Sequence, residues 1–233
     1  MTVDRDARCE VCGHDAFVHD DVIWPELARE WELSVAEQAQ LDVQQGTRCQ
    51  HCGVNVRSQA LARALLRVFG WDGTLETYVT TPPRPFPRVL EINEAGSLAP
   101  WLSRLDGHHR SSYPDCDMRR LPFEDGSFDL VVHSDTLEHV PEPQTALAEC
   151  RRVLSERGAC VFTVPIVVGR LTRSRAGLSP SFHGHPGCRA PDYRVQTEFG
   201  SDAWTDVLVA GFGSCEIVPY RYPAGIALVG RCR

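Results

Sequence analysis

Apolar residues recur along the chain with two different periods, and these periods predict its helices and strands. Over 24–46 and 56–69, apolar side chains return at helical spacing, and arginines occupy the other face of the second segment. Short apolar runs over 89–92, 128–132 and 159–164 are typical of buried strands. Because strands and helices alternate in this part of the chain, the pattern predicts an α/β fold with a parallel sheet and crossover helices.

After residue 142, the sequence predicts two helices and a final pair of strands. Apolar residues at helical spacing over 143–154 predict a helix, with Gly158 as the glycine signal at its end. Residues 202–212 are expected to form another helix. The segments 214–218 and 224–229 then predict a final hairpin on the same sheet.

Two Cys-x-x-Cys pairs bound the first part of the chain and predict a zinc module over residues 1–55. Each pair is followed by a glycine, and 36 residues separate the two pairs. Four thiolates in such pairs are ligands of tetrahedral structural zinc, so we expect a zinc-ribbon-like module with an inserted helical segment. A redox pair or buried free thiols would be the alternative. The predicted ligands are Cys9, Cys12, Cys49 and Cys52.

The composition limits both the location and the chemistry of the chain. Its 233 residues carry a formal net charge of −7, from 24 basic and 31 acidic residues, and every basic residue is arginine. The lack of lysine excludes Schiff-base and P-loop lysine chemistry. An acidic chain is poorly suited to general binding of a phosphate backbone. No apolar run is long enough for a membrane span or typical of a secretory signal, so we expect a cytoplasmic protein without a membrane partner.

A long ordered motif occupies the middle of the second domain, which is predicted over 56–233. It runs from Asp117 through Leu-Pro-Phe and Ser-Phe-Asp-Leu-Val to Val132, and continues with Leu-Glu-His-Val at 137–140 and Arg-Val-Leu at 152–154. This motif resembles that of class I S-adenosylmethionine-dependent methyltransferases of the type 11-like kind. A subgroup with leading Cys-x-x-Cys pairs is similar over nearly the whole chain. The resemblance implies a doubly wound, mostly parallel, seven-stranded-type sheet of the Rossmann-like methyltransferase fold, with S-adenosylmethionine as cofactor.

The resemblance also implies which residues hold the cofactor. Family members have a glycine-rich turn after the first strand, whereas this chain has Asn-Glu-Ala-Gly-Ser at 93–97, with a single glycine. Further family features are an acidic residue at the end of that strand, another for the ribose hydroxyls and an aspartate for the adenine amino group. The residues implied are Glu91, Asn93, Ala95 and Gly96 at the turn, Asp115 at the ribose, Asp117, Met118 and Leu121 at the adenine, and His133 and Ser134 lining the pocket.

Histidines are the candidate bases, because the chain has no lysine and an imidazole titrates near neutral pH. His139 is expected at the cofactor edge, where capping the next helix is its alternative role. His183 and His185 lie on a Gly/Pro-rich loop that is expected to cover the site or contact the substrate. A second metal site on that loop is the less favoured interpretation, because neither a carboxylate nor a further histidine adjoins the two in the sequence.

The sequence therefore predicts an enzyme that transfers a methyl group from S-adenosylmethionine to a hydroxyl or amine of a small-molecule or sugar-like acceptor. The expected partner is that acceptor, with neither nucleic acid nor membrane, and no oligomeric state is predicted. One alternative is a non-catalytic methyltransferase-like binding module whose altered turn no longer holds cofactor. The other is an RNA methyltransferase guided by the zinc module.

Overall fold

The N-terminal third of the chain is mainly helical in the computed structural model, which describes residues 8–81, 87–183, 187 and 189–233. Two short strands pair antiparallel and bracket the first two helices. The predicted helical segment over 24–46 is confirmed as two helices, and the helix predicted over 56–69 has those bounds. The elements are β1 (Phe17–His19), α1 (Pro25–Glu30), α2 (Val35–Gly46), β2 (Thr47–Cys49), α3 (Val56–Phe69) and α4 (Leu75–Thr80).

Local sequence signals explain where these helices begin and end. The chain turns after α1 at Glu32, which has a left-handed φ of 51°. Helix α2 then starts with a capping box, in which the Ser34 hydroxyl accepts from the Glu37 N–H and the Glu37 carboxylate accepts from the Ser34 N–H. Helix α3 is capped at both ends. The Asn55 side chain accepts from the Ser58 N–H before the first turn, and Gly70 follows the last turn in the left-handed conformation.

The rest of the chain builds a six-stranded sheet, counted over the described residues, and a smaller three-stranded one. Three single-turn 3₁₀ helices lie at 96–98, 137–139 and 191–193. The other elements are β3 (Val89–Ile92), α5 (Ala99–Leu102), β4 (His108–Ser111), β5 (Phe128–Ser134), α6 (Pro143–Val153), β6 (Leu154–Thr163), β7 (Ile166–Val167), β8 (Arg173–Ser174), β9 (Thr197–Gly200), α7 (Trp204–Val209), β10 (Ser214–Tyr220) and β11 (Gly225–Arg231).

The order of the large sheet is β10-β11-β6-β5-β3-β4, and its strands are mostly parallel. Strands β4, β3, β5 and β6 run parallel, while β11 is antiparallel to both of its neighbours. The predicted doubly wound, mostly parallel α/β fold and the final hairpin are therefore confirmed. No helix among the described residues has the length and apolar content that a membrane span requires.

The structure corrects two details of the predicted fold. The described residues form six strands in the large sheet rather than seven, because the segment between β4 and β5 runs as turns. Pro114 and Pro122 in that segment have no N–H to donate to a strand ladder. Gly158 does not end a helix either: α6 ends at Val153, Leu154 has extended dihedrals, and Gly158 lies inside β6.

Two apolar layers cover the large sheet, one on each face. Along β5, Leu130 and Val132 face the layer that contains α3, whereas Val131 faces the layer that contains α6 and α7. Helix α3 packs against β6, β10 and β11. The same layer includes Cys9 and Cys49, so one apolar core continues across residue 55. The boundary between residues 1–55 and 56–233 stays a prediction.

An ion pair fastens α2 to the loop that follows β7. Arg170 Nε lies 2.6 Å from Glu37 Oε1, and Arg170 Nη2 lies 2.8 Å from Glu37 Oε2. The same guanidinium donates to the backbone carbonyls of Trp31 and Glu32. Hydrogen bonds from Arg170 lower the pKa of Glu37 to about 2, so this carboxylate stabilises the fold above the ordinary carboxyl range and loses that contribution as pH falls towards 2.

We expect Glu37→Gln to lower the free energy of unfolding at pH 7 by about 2 kcal/mol, because the amide loses the charge-assisted pair with Arg170. The deficit should shrink as pH falls from about 4.5 to about 2, where the wild-type carboxyl becomes protonated. Denaturant unfolding at a series of pH values measures this difference in the free energy of unfolding. Glu26→Gln is the control, because Glu26 is 64% exposed beside Arg29 and should cost about 0.5 kcal/mol or less. A deficit independent of pH would contradict the assignment.

Candidate functional site

A cavity of about 1230 Å³ lies where β3 and β5 end. These strands are parallel neighbours, so their carboxyl ends meet at one edge of the sheet, which is where open α/β sheets bind ligands. Asn93 and Gly96 line the cavity after β3, and Ser134 and Asp135 line it after β5. The cavity therefore lies at the edge of the sheet where the sequence predicts the cofactor site.

The turn after β3 is tight despite its single glycine. Asn93 and Gly96 both have positive φ, 59° and 55°. A Cβ on Gly96 would lie 2.9 Å from Ser58 Oγ and 3.2 Å from Ser134 Oγ, so the position has room only for glycine. The Asn93 side chain accepts a hydrogen bond from the Tyr113 N–H and thereby joins the turn to the segment after β4.

Glu91 hydrogen-bonds within this turn and does not line the cavity. Its side chain is fully buried and is absent from the cavity wall. One carboxylate oxygen accepts from the Ala95 N–H at 2.7 Å, and the other lies 2.6 Å from His108 Nε2. The structure therefore shows Glu91 supporting the turn, and its implied contact with the methionine amino group stays a prediction. The buried Ala95 likewise lies outside the cavity wall.

The motif at 115–121 contributes two of its four predicted residues to the cavity. Asp117 and Met118 line it, next to Arg119. The Arg119 guanidinium lies 2.8 Å from Asp117 Oδ2 and holds the pKa of that carboxyl below its usual range. Asp115 is exposed and Leu121 is buried elsewhere, with its N–H bonded to Glu149, so the structure places neither at the cavity wall.

Ser134 and His133 were both expected in the pocket wall, and the structure separates them. Ser134 lines the cavity and its hydroxyl lies 2.7 Å from Thr163 Oγ1. His133 points to the opposite side of β5, is fully buried and stacks on Phe162 at 4.8 Å. Burial lowers the pKa of His133 to about 3, so it is a neutral core side chain and its predicted place in the pocket is wrong.

Arg57 and Asp135 form an ion pair at the cavity wall. Their side chains are 12% and 17% exposed, and both residues line the cavity. Arg57 Nε and Asp135 Oδ1 have no hydrogen-bond partner within the described residues. Burial lowers the pKa of Arg57 to about 10, which still leaves it charged at neutral pH. The pair therefore lines the cavity with one cation and one anion, and each side chain keeps one buried polar atom without a partner among the described residues.

A second polar group lies at another part of the wall, where Glu138, His139 and His183 meet. Glu138 Oε1 is 3.7 Å from His139 Nε2 and 3.4 Å from His183 Nε2. Burial raises the pKa of the Glu138 carboxyl, but the two imidazoles outweigh it and the pKa lies below its usual range. His139 and His183 line the cavity, as the prediction of candidate bases requires. The third candidate, His185, lies outside the described residues.

Helix α1 and the segment around it provide the apolar wall. Trp24, Leu27 and Trp31 line the cavity, so the insertion between the two cysteine pairs faces the carboxyl ends of the strands. Trp31 is held by a hydrogen bond from its Nε1 to Ser181 Oγ at 3.0 Å, and its ring meets His183 edge-on at 6.1 Å.

The four predicted zinc ligands meet in one cluster. The Cys9 and Cys52 sulfurs are 3.5 Å apart, the Cys12 and Cys49 sulfurs are 3.7 Å apart, and all four lie within 4.8 Å of one another. Four sulfurs around a tetrahedral zinc would be about 3.8 Å apart. Burial raises the pKa values of Cys12 and Cys52, whereas backbone N–H donors lower that of Cys49 despite its burial.

Comparison with known proteins identifies the part of the chain around this edge. Residues 94–162 match the family described as a methyltransferase domain. This segment is therefore similar to methyltransferase domains. It contains Asp117, Ser134 and His139, and it includes most of the motif from which the resemblance was inferred. The match, together with relatives that are named as methyltransferases, supports the prediction of an enzyme.

The curated relatives of the methyltransferase domain differ in their acceptors. A demethylmenaquinone methyltransferase of Clavibacter sepedonicus is 33% identical over 134 residues, which are 52% of this chain and 54% of that protein. A malonyl-[acyl-carrier protein] O-methyltransferase of Geobacter sulfurreducens is 33% identical over 102 residues, which are 43% of this chain and 37% of that protein. The chain spans about half the length, or less, of these relatives.

Among the solved structures to which the chain is similar is another enzyme that is named as a methyltransferase. It is the 1,6-didemethyltoxoflavin-N1-methyltransferase of Burkholderia thailandensis, with bound 1,6-didemethyltoxoflavin and S-adenosylhomocysteine. It is 16% identical, with a TM-score of 0.43, and the match covers 75% of this chain and 77% of that chain.

Sequence reasoning missed the ion pair of Arg57 and Asp135 at the cavity wall, and it missed the buried Glu138 beside His139 and His183. Asp135 had a usable signal, because it directly follows Ser134 at the end of a predicted buried strand. Glu138 lies in the Leu-Glu-His-Val motif beside a predicted base. Arg57 had none, because it comes from a helix that precedes the methyltransferase domain.

Proposed function

We propose that the chain transfers the methyl group of S-adenosylmethionine to a hydroxyl or amine of a small acceptor. The observation that carries the proposal is the coincidence of the methyltransferase domain with the cavity at the carboxyl ends of β3 and β5. S-Adenosylmethionine supplies an electrophilic methyl group on a sulfonium. The residues of this chain have to bind that cofactor, place the acceptor in line with it and accept the proton of the acceptor.

The cavity wall suits the two ends of S-adenosylmethionine. The Arg57–Asp135 pair lines the cavity with a cation and an anion, which matches the carboxylate and ammonium groups of the methionine end. Gly96 allows the ligand to approach the backbone of the turn. At the other end, Asp117 accepts a hydrogen bond from the adenine amino group, and Met118 packs on the ring.

The acceptor takes the part of the cavity between Trp24 and the histidines. Ligand pockets for one small molecule are on the order of 300–1,000 Å³, so a cavity of about 1230 Å³ has room for cofactor and acceptor together. The wall of Trp24, Leu27 and Trp31 favours an apolar or aromatic body. His139 and His183 receive its hydroxyl or amine, either directly or through a bound ion.

Zinc in the four-cysteine cluster is the second part of the proposal. The sulfur separations fit tetrahedral thiolate coordination, and the cluster is closed by four ligands, as structural zinc sites are. Gly13 and Gly53 each have positive φ directly after a cysteine pair, the conformation that wraps each pair around one point. The zinc holds the N-terminal segment together and takes no part in the methyl transfer.

Binding of S-adenosylhomocysteine tests the cofactor site. We expect Asp117→Ala to weaken binding by about 10- to 100-fold, because a hydrogen bond to a charged group contributes about 1.5–3 kcal/mol. The matched control is Asp115→Ala, which removes a neighbouring exposed carboxylate outside the cavity wall and should bind like the wild type. Isothermal titration calorimetry measures both.

Two outcomes would contradict this part of the proposal. A wild-type protein that binds no S-adenosylhomocysteine would favour the non-catalytic binding module. An Asp117→Ala variant that binds as tightly as the wild type would show that the adenine does not contact Asp117.

Removal of zinc should expose the cysteine cluster and disturb the cofactor turn. A chelator is expected to make Cys9 and Cys49 rapidly alkylated, whereas both are almost fully buried in the folded protein. Cys49→Ser should show the same reactivity at Cys9 without chelator, and Cys215→Ser, at the far end of the large sheet, should not. Mass spectrometry of alkylated peptides measures this, and rapid alkylation of the untreated protein would refute the site.

A further inference from the structure

The Glu138 carboxylate is the most unusual buried group outside the cofactor contacts. Its side chain is 1% exposed, and neither oxygen makes a hydrogen bond within the described residues. An ionised carboxylate without partners costs several kcal/mol when buried. The polar atoms nearest to its Oε1 are the Nε2 atoms of His139 and His183. These three side chains, Glu138, His139 and His183, are called the EHH cluster below.

The EHH cluster has the geometry of ligands around one point. Its three ligand atoms lie within 4.8 Å of one another, with Glu138 Oε1 3.4 Å from His183 Nε2 and 3.7 Å from His139 Nε2. Ligand atoms that share a metal ion at about 2.0–2.2 Å are about 3.0–3.5 Å apart. These distances are longer than the usual 2.7–3.2 Å of an N–H···O hydrogen bond and are close to the separation that a shared cation requires.

The His139 ring is fixed with its acceptor nitrogen towards the cluster. Nδ1 lies 3.1 Å from the Arg194 carbonyl oxygen, to which only a protonated Nδ1 can donate. In the neutral imidazole the lone pair is then on Nε2, which faces Glu138 Oε1. Ligating histidines in metal sites commonly donate their other N–H to a backbone carbonyl in this way.

Backbone pairing brings the distant His183 to the other two residues. The Gln196 N–H donates to the Glu138 carbonyl at 2.7 Å, and an isolated bridge pairs Phe182 with Arg194. The first bond joins Gln196 to the 3₁₀ turn at 137–139, and the bridge joins Phe182, next to His183, to the segment that precedes Gln196. This pairing supplies the carboxylate and the further histidine that the sequence around His183 lacks.

We propose that the EHH cluster binds a divalent transition-metal ion. Two imidazoles and one carboxylate are ligands for ions such as Zn²⁺, Fe²⁺ or Co²⁺, and Mg²⁺ or Ca²⁺ would favour oxygen ligands. Because His139 and His183 line the cavity, the ion faces the region assigned to the acceptor. Contact of the ion with an acceptor oxygen rests on the proposed function, whereas binding of the ion does not.

Cobalt(II) titration of the metal-stripped full chain tests the proposal, because the two clusters give different spectra. Cobalt in the four-cysteine cluster shows intense thiolate charge-transfer absorption, and cobalt in the EHH cluster shows only weaker d–d bands. We expect two cobalt ions per wild-type chain. His183→Gln and Glu138→Gln should retain the thiolate signal and bind the second ion more than about 100-fold more weakly, because outer-shell changes alone already cost 10- to 100-fold.

Two control variants separate loss of the site from loss of fold. His109→Ala removes an exposed histidine on β4, and Glu142→Gln changes a carboxylate that is 65% exposed; both should bind two ions. A wild-type chain that holds only the thiolate-bound ion would overturn the proposal, and so would a second ion that survives both His183→Gln and Glu138→Gln. Titration of S-adenosylhomocysteine into the same samples distinguishes this failure from failure of the cofactor site.

Discussion

The first turn of α3 connects three parts of the candidate site. Gln59 donates from its amide to Cys9 Sγ at 3.0 Å and accepts from the Glu10 N–H at 2.7 Å. One residue earlier, Ser58 Oγ accepts from the Ser97 N–H in the turn after β3. Arg57, the next residue back, pairs with Asp135 after β5. Three consecutive side chains therefore link the cysteine cluster, the cofactor turn and the end of a central strand.

This connection explains how the turn after β3 keeps its shape with one glycine. A glycine-rich turn adopts positive φ values without steric cost, whereas Asn93 is only tolerated there. Here the conformation is imposed by contacts: Glu91 binds the Ala95 N–H, Tyr113 donates to Asn93, and Ser58 closes the side of Gly96. The resemblance implies that Glu91 contacts the ligand. In this structure, its buried carboxylate accepts from the Ala95 N–H and lies next to His108, so both oxygens have partners within the fold.

The sequence predicted the fold well wherever periodicity and buried runs determine structure. The bounds of α3, the apolar strands β3 and β5, and the final hairpin all follow from patterns that are local in the chain. Predictions of the site were less successful where they depended on which way a side chain points. His133 and Ser134 are neighbours in one strand, yet alternation places only Ser134 in the cavity. The EHH cluster depends on a contact between Glu138 and His183, 45 positions apart, which no local pattern contains.

The apolar wall of Trp24, Leu27 and Trp31 explains why the match over 94–162 does not by itself identify the acceptor. The matched segment, 94–162, supplies Asp117, Ser134 and His139. The apolar wall comes from α1, inside the insertion between the two cysteine pairs, and His183 comes from the loop before β9. Both lie outside the matched segment. Under the proposed function, the matched segment holds the cofactor edge, whereas α1 and the loop before β9 face the acceptor. The selectivity of this chain would then depend on parts outside the matched segment.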